Sequence, residues 1–360
     1  MTRIPAAPQP WEEQLWEAVS TGDEEAATRT VFGALEDGVP PETVLLDLVG
    51  AVQRRVGEEW AANRITVAQE HAATAINERA IAALSHRCAP HAAAFRGRAT
   101  VTCVDGEWHS LPARLVAEVL KLRGWKVEYL GAQVPTRHLI SHIHQTGPEF
   151  VALSSSIPVR LPAAHAAITA VQATGTPVLV GGAAFGRHGR HARRLGADAW
   201  APDARAAADR LEQGPLPRPA AAHQPIDDLP HLADQEYTMV ARARTRLVRA
   251  VMATMEERFL AMRDYTDVQR ERTAEDIAHI VDFLATALYT DDVDLFTDFI
   301  LWTGGILGSR GVPAHSLIPA LDILGEQLKD FPRAASTLHQ AADRLRRAGS
   351  VIASDSRTTV

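Results

Sequence analysis

The segment Asp105-Gly-Glu-Trp-His109 offers a carboxylate and an imidazole two residues apart. His109 can present one ring nitrogen to a metal while Glu107 accepts the N–H of the other. That hydrogen bond would fix the tautomer and raise ligand basicity. Read alone, a histidine in a loop is usually a surface residue. Its company argues for more. Leu153-Ser154-Ser155-Ser156 closes one apolar run and Val180-Gly181-Gly182 closes another. Small residues at two strand ends leave room for something bulky between them. A second group lies upstream: Trp60, then residues 61–69, then Glu70-His71. In an arbitrary helical bundle this reads as a core tryptophan and an exposed helical pair.

The elements that must carry these residues fall into three regions. Residues 10–90 read as a four-helix bundle, with helices near 11–19, 24–35, 43–56 and 66–87. Leu45, Leu48, Val49, Val52 and Val56 recur at helical spacing. Pro41 and Glu42 suit a first helical turn, where proline lacks no needed N–H and a carboxylate meets the positive helix end. In residues 96–212, short apolar runs at 99–104, 126–130, 150–153 and 178–180 alternate with helical stretches. That alternation predicts a doubly wound, Rossmann-like parallel sheet. Ligands bind such sheets at the C-terminal strand ends, where His109, the serines and the glycines fall. Residues 213–235 read as a linker, with prolines at 215, 217, 219, 225 and 230. Residues 236–350 are helical again. There Thr273 with Asp276 fits a capping box ahead of Ile277, and Gly304 and Gly305 interrupt an apolar helical pattern.

Composition narrows the function. Of 360 residues 46% are hydrophobic, enough for packed cores. No apolar run reaches the roughly 18 to 20 residues of a membrane span, and no signal peptide opens the chain. Two cysteines, Cys88 and Cys103, cannot build a disulfide framework, so a cytoplasmic setting is expected. The net charge of -7 argues against nucleic acid as a partner. The arginine clusters at 187–194 and 242–249 read as solvated helix faces.

The central region resembles the cobalamin-binding domain shared with methionine synthase and the methylmalonyl mutases. Their pattern is Asp/Glu-x-His-x-x-Gly, then Ser-x-Leu or Ser-x-Thr, then Gly-Gly. Here it reads Glu107-Trp108-His109-Ser110-Leu111-Pro112, Ser154-Ser-Ser156 and Gly181-Gly182. The resemblance implies that His109 is the lower cobalt ligand of a base-off cobalamin. It also implies that the nucleotide tail threads past Ser154, Ser156 and the glycines. Pro112 departs from the family glycine, at a helix start that tolerates proline.

Trp60-x9-Glu70-His71 resembles the cap signature of CarH-type photoreceptors, over residues 10–211. It implies adenosylcobalamin as cofactor, with Trp60 against the upper adenosyl group and Glu70 contacting that group or orienting neighbours. It further implies that His71 becomes the upper cobalt ligand once light has removed the group. CarH carries a winged-helix domain ahead of this bundle, whereas here only about ten residues precede it. A DNA-binding repressor is therefore not expected.

The helices at 279–288 and 295–302 look like non-haem, globin-like bacterial sensor helices. Over the whole chain the pattern resembles the photocobilins, which join a cobalamin domain to a helical domain that binds biliverdin. The two cysteines lie outside 236–350, so a bilin there would be bound non-covalently. His279, Trp302 and His315 are candidates for its slot, and Arg244, Arg249 and Arg272 for its propionates. Each has an ordinary alternative as a core tryptophan, a capping or surface histidine, or a surface arginine. The expected function is light-sensing signalling and not enzymatic, with output through homo-oligomer assembly or a separate effector protein. The alternative is the corrinoid protein of a cobalamin-dependent methyltransferase system.

Overall fold

The computed structural model describes residues 9–88, 95–219 and 229–355. They form two compact units, Met1–Pro225 and Ile226–Val360.

The first unit begins with helices. α1 (Gln9–Thr21) and α2 (Glu24–Glu36) are joined at Asp23, whose carboxylate accepts the Ala26 N–H at 2.8 Å. α3 (Pro41–Thr43) runs into a π-helical stretch, Val44–Val49, and then into α4 (Gly50–Ala61). Regular helical spacing gave no sign of the π turn. It still buries Val44, Leu45, Leu48 and Val49. α5 (Val67–Arg87) opens with a reciprocal box, in which Thr66 caps the Gln69 N–H and Gln69 returns to the Thr66 N–H.

The sheet follows: β1 (Arg98–Cys103), β2 (Lys126–Gly131), β3 (Phe150–Ser154), β4 (Val178–Gly181) and β5 (Ala199–Ala201). All neighbours are parallel, in the order β2-β1-β3-β4-β5. α6 (Ser110–Leu122), α7 (Thr136–Thr146), α8 (Leu161–Gln172), the short α9 (Arg190–Arg194) and α10 (Ala204–Glu212) are the crossovers and the final helix. β5 and α10 were not anticipated as separate elements, and α9 only as an arginine-bearing helix face. Ala199-Trp-Ala201 is too short for a periodic signal. β1, β3 and most of β4 are buried along their length, as a two-sided parallel sheet requires.

Register matters most for function. Cys103 pairs with Ser154, Ser154 with Gly181, and Gly181 with Ala201. Four small residues from four strands thus line one row at the C-terminal edge.

The helical cap packs on α6 through a shared apolar core that includes Leu48, Val52, Leu84, Ala113, Ala117 and Leu120. Polar contacts pin the seam. Arg123 reaches Glu42 at 2.7 Å, and Arg205 reaches Asp47 at 2.7 Å. Ser85 donates to Glu118 at 2.6 Å and Ser110 to Glu78 at 2.7 Å. Leu216 is buried in this core, so the first unit extends into what reads as linker.

The second unit contains α11 (Glu236–Arg258), α12 (Asp267–Thr290), α13 (Val293–Ser309), α14 (Ile318–Gln327) and α15 (Pro332–Asp355). The cap of α12 is not Thr273. Thr266 and Gln269 form that box, two turns earlier, and the Thr273 hydroxyl donates to the Gln269 carbonyl inside the helix at 2.8 Å. The mostly polar stretch 267–276, whose one large apolar residue, Val268, is exposed, hid the first turns from a reading based on apolar periodicity. Glu236 on α11 caps α15, accepting the N–H groups of Arg333 and Ala334 at 3.1 and 2.9 Å. Among the described residues no helix is long and apolar enough to cross a membrane.

Candidate functional site

The loop between β1 and α6 carries His109 at the N-cap of α6. Pro112 falls in the first turn, where its missing N–H costs no helical bond. The loop is organised by Glu107. Its side chain is 1% exposed and nevertheless ionised, because five groups of the protein's own backbone and side chains donate to it. Oε1 accepts the N–H groups of Trp108 and His109 at 2.9 and 3.0 Å. Oε2 accepts the N–H groups of Ser156 and Ile157 at 2.7 and 3.2 Å and the Ser155 hydroxyl at 3.1 Å. The sixth contact is the one with chemical consequence: His109 Nδ1 lies 2.6 Å from Oε1.

Burial alone would raise the Glu107 carboxyl. The hydrogen bonds from the His109 ring, then from the backbone of His109, Ser156 and Ile157, outweigh it and hold the group at about 2. A carboxylate at that position requires the proton on Nδ1, which in the neutral ring leaves Nε2 of His109 as the lone-pair nitrogen. The same bond to Glu107 raises the basicity of His109, against burial, with smaller contributions from the charges of Glu107 and of Glu70 on the cap. His109 is 52% exposed, so Nε2 is open to a ligand. Burial pushes the Cys103 thiol, packed under this loop, up to about 12; the thiol is inert filling.

Beside the loop lies a cavity of about 360 Å³. Leu111, Pro112 and Leu115 of α6 form one wall, and Ser154, Gly181 and Gly182 at the strand ends form another. Gly182 has φ +100°, and a Cβ there would sit 2.2 Å from the Ser155 carbonyl oxygen. Only glycine permits this approach, and the approach brings Ser155 under Glu107. Asp203, Ala204 and Ala207 of the β5–α10 turn, with Gly50 and Gln53 of the cap, also line the cavity. Sequence reasoning missed these and Ser155. The middle serine of a triple alternates away from its neighbours, and that was the available signal.

Of the other residues named from sequence, Ser110 bonds Glu78 on the cap, Leu111 is buried in the cavity wall and Ser156 acts through its N–H. Trp108 is 71% exposed beside His109. On the cap, Trp60 is half-buried at the end of α4, and Glu70 and His71 occupy the first turns of α5. His71 Nδ1 lies 2.5 Å from Glu70 Oε2. In the second unit all six candidates are exposed, on four elements: Arg244 and Arg249 on α11, Arg272 and His279 on α12, Trp302 on α13, and His315 in the turn Ala314–Leu317. Arg244 is paired with Asp282 at 2.7 Å. Trp302 adjoins the stacked pair Phe283–Phe299, whose ring centroids are 3.6 Å apart.

Two family models, both described as a B12 binding domain, match residues 11–85 and 97–211. Residues 11–211 are a B12-binding module. The donor set fits such a group, since one imidazole has its outward nitrogen freed by a buried carboxylate beside a cavity floored by small residues. Among curated relatives, the B12 module is similar to the HTH-type transcriptional repressor CarH of Myxococcus xanthus. The two are 28% identical over 190 residues, 51% of this chain and 62% of CarH. The trimethylamine corrinoid protein of Methanosarcina barkeri is 25% identical over 141 residues, 39% of this chain and 65% of that protein. The chain thus spans less than two thirds of the length of these relatives. In fold, the module resembles the solved monomethylamine corrinoid protein of Methanosarcina barkeri. That match has a TM-score of 0.50 at 20% identity, covering 57% of this chain and 99% of the other. The chain is a cobalamin-binding protein with a helical cap and a Rossmann-like domain, distantly related to CarH and to corrinoid proteins.

Proposed function

We propose that this chain is a light-responsive signalling protein of the photocobilin type, with adenosylcobalamin in its B12 module and biliverdin in its C-terminal unit. One arrangement carries the reading: two Glu–His pairs, Glu107–His109 below and Glu70–His71 on the cap, each hold Nδ1 against a carboxylate and leave Nε2 for a metal. The Glu70 charge reaches His109, which supports a common site.

When bound, adenosylcobalamin supplies a cobalt–carbon bond that visible light breaks. His109 would hold the metal through Nε2. Ser154, Gly181 and Gly182 leave the cavity open for the nucleotide tail. Trp60 packs against the upper group and Glu70 orients its neighbours. His71 would be the cap residue available to hold the metal once that group had gone, and the cap would then be the element that moves. The cap is then the two-state element, and its output is a change in homo-oligomer assembly or in binding of a separate effector, with no catalysis by the chain itself.

In the globin-like second unit, a bilin is held without a thioether, since Cys88 and Cys103 both lie in the first unit. His279, Trp302 and His315 are its apolar and polar contacts, and Arg244, Arg249 and Arg272 meet its propionates.

The deciding experiment loads adenosylcobalamin in the dark and illuminates with green light. A changed absorption spectrum and elution volume are expected; no change in either overturns the photosensor. Biliverdin is titrated separately. A sharpened long-wavelength band that survives deletion of residues 236–360 overturns the second assignment. The relation to a trimethylamine corrinoid protein favours one other reading, a methyl carrier. Methyl transfer from the methylcobalamin-loaded protein to a thiol or partner enzyme would support that alternative.

A further inference from the structure

Glu70, Thr74 and Asn77 fall at i, i+4 and i+7 of α5, on a stripe that faces Gln53 of α4. A bundle seam is ordinarily apolar, and a buried polar group there destabilises unless fully bonded. This seam holds a directed chain, with only Asn77 Oδ1 at its head left without a partner among its members. The buried Asn77 amide donates to Gln53 Oε1 at 2.8 Å. Gln53 Nε2 donates to Thr74 Oγ1 at 2.8 Å. Thr74 Oγ1 donates to Glu70 Oε1 at 3.0 Å. Glu70 Oε2 accepts His71 Nδ1 at 2.5 Å.

Thr74 behaves unlike its counterparts. Thr30, Thr286 and Thr337, also within helices, turn their hydroxyls back to the carbonyl four residues earlier, at 2.8, 2.9 and 2.8 Å. That is the default for a helical threonine. Thr74 donates to the side chain four residues earlier instead. Gln53 already occupies an acceptor site on its oxygen, which turns the hydroxyl hydrogen toward Glu70.

We propose that Gln53 and Thr74 are positioning residues for His71. They hold the Glu70 carboxylate where it accepts a hydrogen bond from the Nδ1–H, so that Nε2 faces outward as a bare ligating nitrogen. Without them Glu70 swings free, and His71 populates the tautomer whose outward nitrogen carries the proton and cannot ligate. The upper histidine is thereby prepared by the bundle seam, as the lower one is prepared by Glu107. The inference rests on His71 being the upper cobalt ligand.

The test uses the full-length chain. In cobalamin-free, histidine-labelled protein, nitrogen NMR reads the His71 tautomer, its signal assigned by loss in His71→Ala. Wild type should show the Nδ1–H form. Thr74→Val and Gln53→Leu should each shift it toward the Nε2–H form, and Thr74→Ser should restore it. After dark loading and illumination, the final ligation spectrum should develop about tenfold more slowly in Thr74→Val and Gln53→Leu, the size usual for loss of a ligand's supporting hydrogen bond. Thr74→Ser should match wild type, and dark affinity should be the same in the two Thr74 variants. Unchanged tautomers with wild-type rates overturn the relay. If instead His71→Ala gives the wild-type illuminated spectrum, the upper-ligand reading fails, and the NMR result still decides whether the relay sets the tautomer. If Thr74→Val is unfolded by circular dichroism, Gln53→Leu against Thr74→Ser carries the comparison.

Discussion

Glu107 and Glu70 hold the Nδ1 of a neighbouring imidazole at nearly the same distance, 2.6 and 2.5 Å. Around Glu107 the fold is closed: the side chain is 1% exposed and accepts from two strand-end loops. Around Glu70 it is open. His71 is 75% exposed, and the carboxylate depends on one hydroxyl relay along a helix seam. The same pair of residues can therefore serve two purposes. Wired into a sheet edge, it is a fixed anchor. Set on the first turns of a cap helix, it is, under the proposed function, a ligand that arrives when the upper group leaves.

The comparison breaks most visibly at Glu107. Glu107→Ala leaves several buried N–H groups unpaired and should cost about 3 to 5 kcal/mol in urea unfolding, as loss of one partner of a buried ionic pair does. Glu70→Ala should cost under about 1 kcal/mol, as for an exposed pair. Equal losses would mean that the two pairs are equally embedded.

Acid should act next. In the cobalamin-free protein Glu107 titrates at about 2, below its ordinary 4.5. A lowered carboxylate contributes stability that is present above 4.5 and lost as pH falls toward 2, a span worth about 3 kcal/mol. His109 is raised above its ordinary 6.5, so its contribution is complete below 6.5 and is lost as pH rises through the raised value. The lower pair should thus stabilise most between pH 4.5 and 6.5. Chemical denaturation across pH, with Glu107→Gln lacking the acid limb, checks this.

Ligand binding sharpens the contrast further. His109→Ala should weaken dark cobalamin binding by about 100-fold, at the upper end of what loss of a ligand's support alone costs. His71→Ala should change dark affinity by less than about twofold and alter only the illuminated spectrum. Absorbance titrations in the dark separate the two, and abolished dark binding in His71→Ala would reverse their roles.

The smallest effect concerns adjoining glycines of the second unit. A Cβ on Gly305 would meet nothing within 4 Å, so Gly305→Ala should raise thermal stability, by about 0.5 to 1 kcal/mol. A Cβ on Gly304 would sit 3.1 Å from the Ala314 Cβ, and Gly304→Ala should gain nothing or lose. A bilin seated over Gly305 would show as loss of its band in Gly305→Ala.

Local pattern carried much of this. Apolar periodicity and capping residues located the cap helices, four strands and the apolar parts of α12 and α13, because each is decided within one or two turns of chain; α11 and α15 were legible only as helical territory. The motif Glu107-x-His109 was legible because carboxylate and imidazole are near neighbours in sequence. Thr273 misled, because a threonine three residues before an acid looks the same inside a polar helix as at its start. β5 escaped, since a three-residue strand is defined by pairing and not by pattern.

Tertiary structure decided what the sequence left separate. Strand register put Cys103, Ser154, Gly181 and Ala201 in one row. The close approach of Gly182 to Ser155 turned the middle serine and two backbone N–H groups onto Glu107, and only that convergence makes a buried carboxylate ionised and a loop histidine a prepared ligand. Residue types and local spacing are written along the chain. Burial and hydrogen-bond partners come from segments some fifty residues apart in sequence, as Glu107 and Ser156 are, and exist only once the sheet has closed.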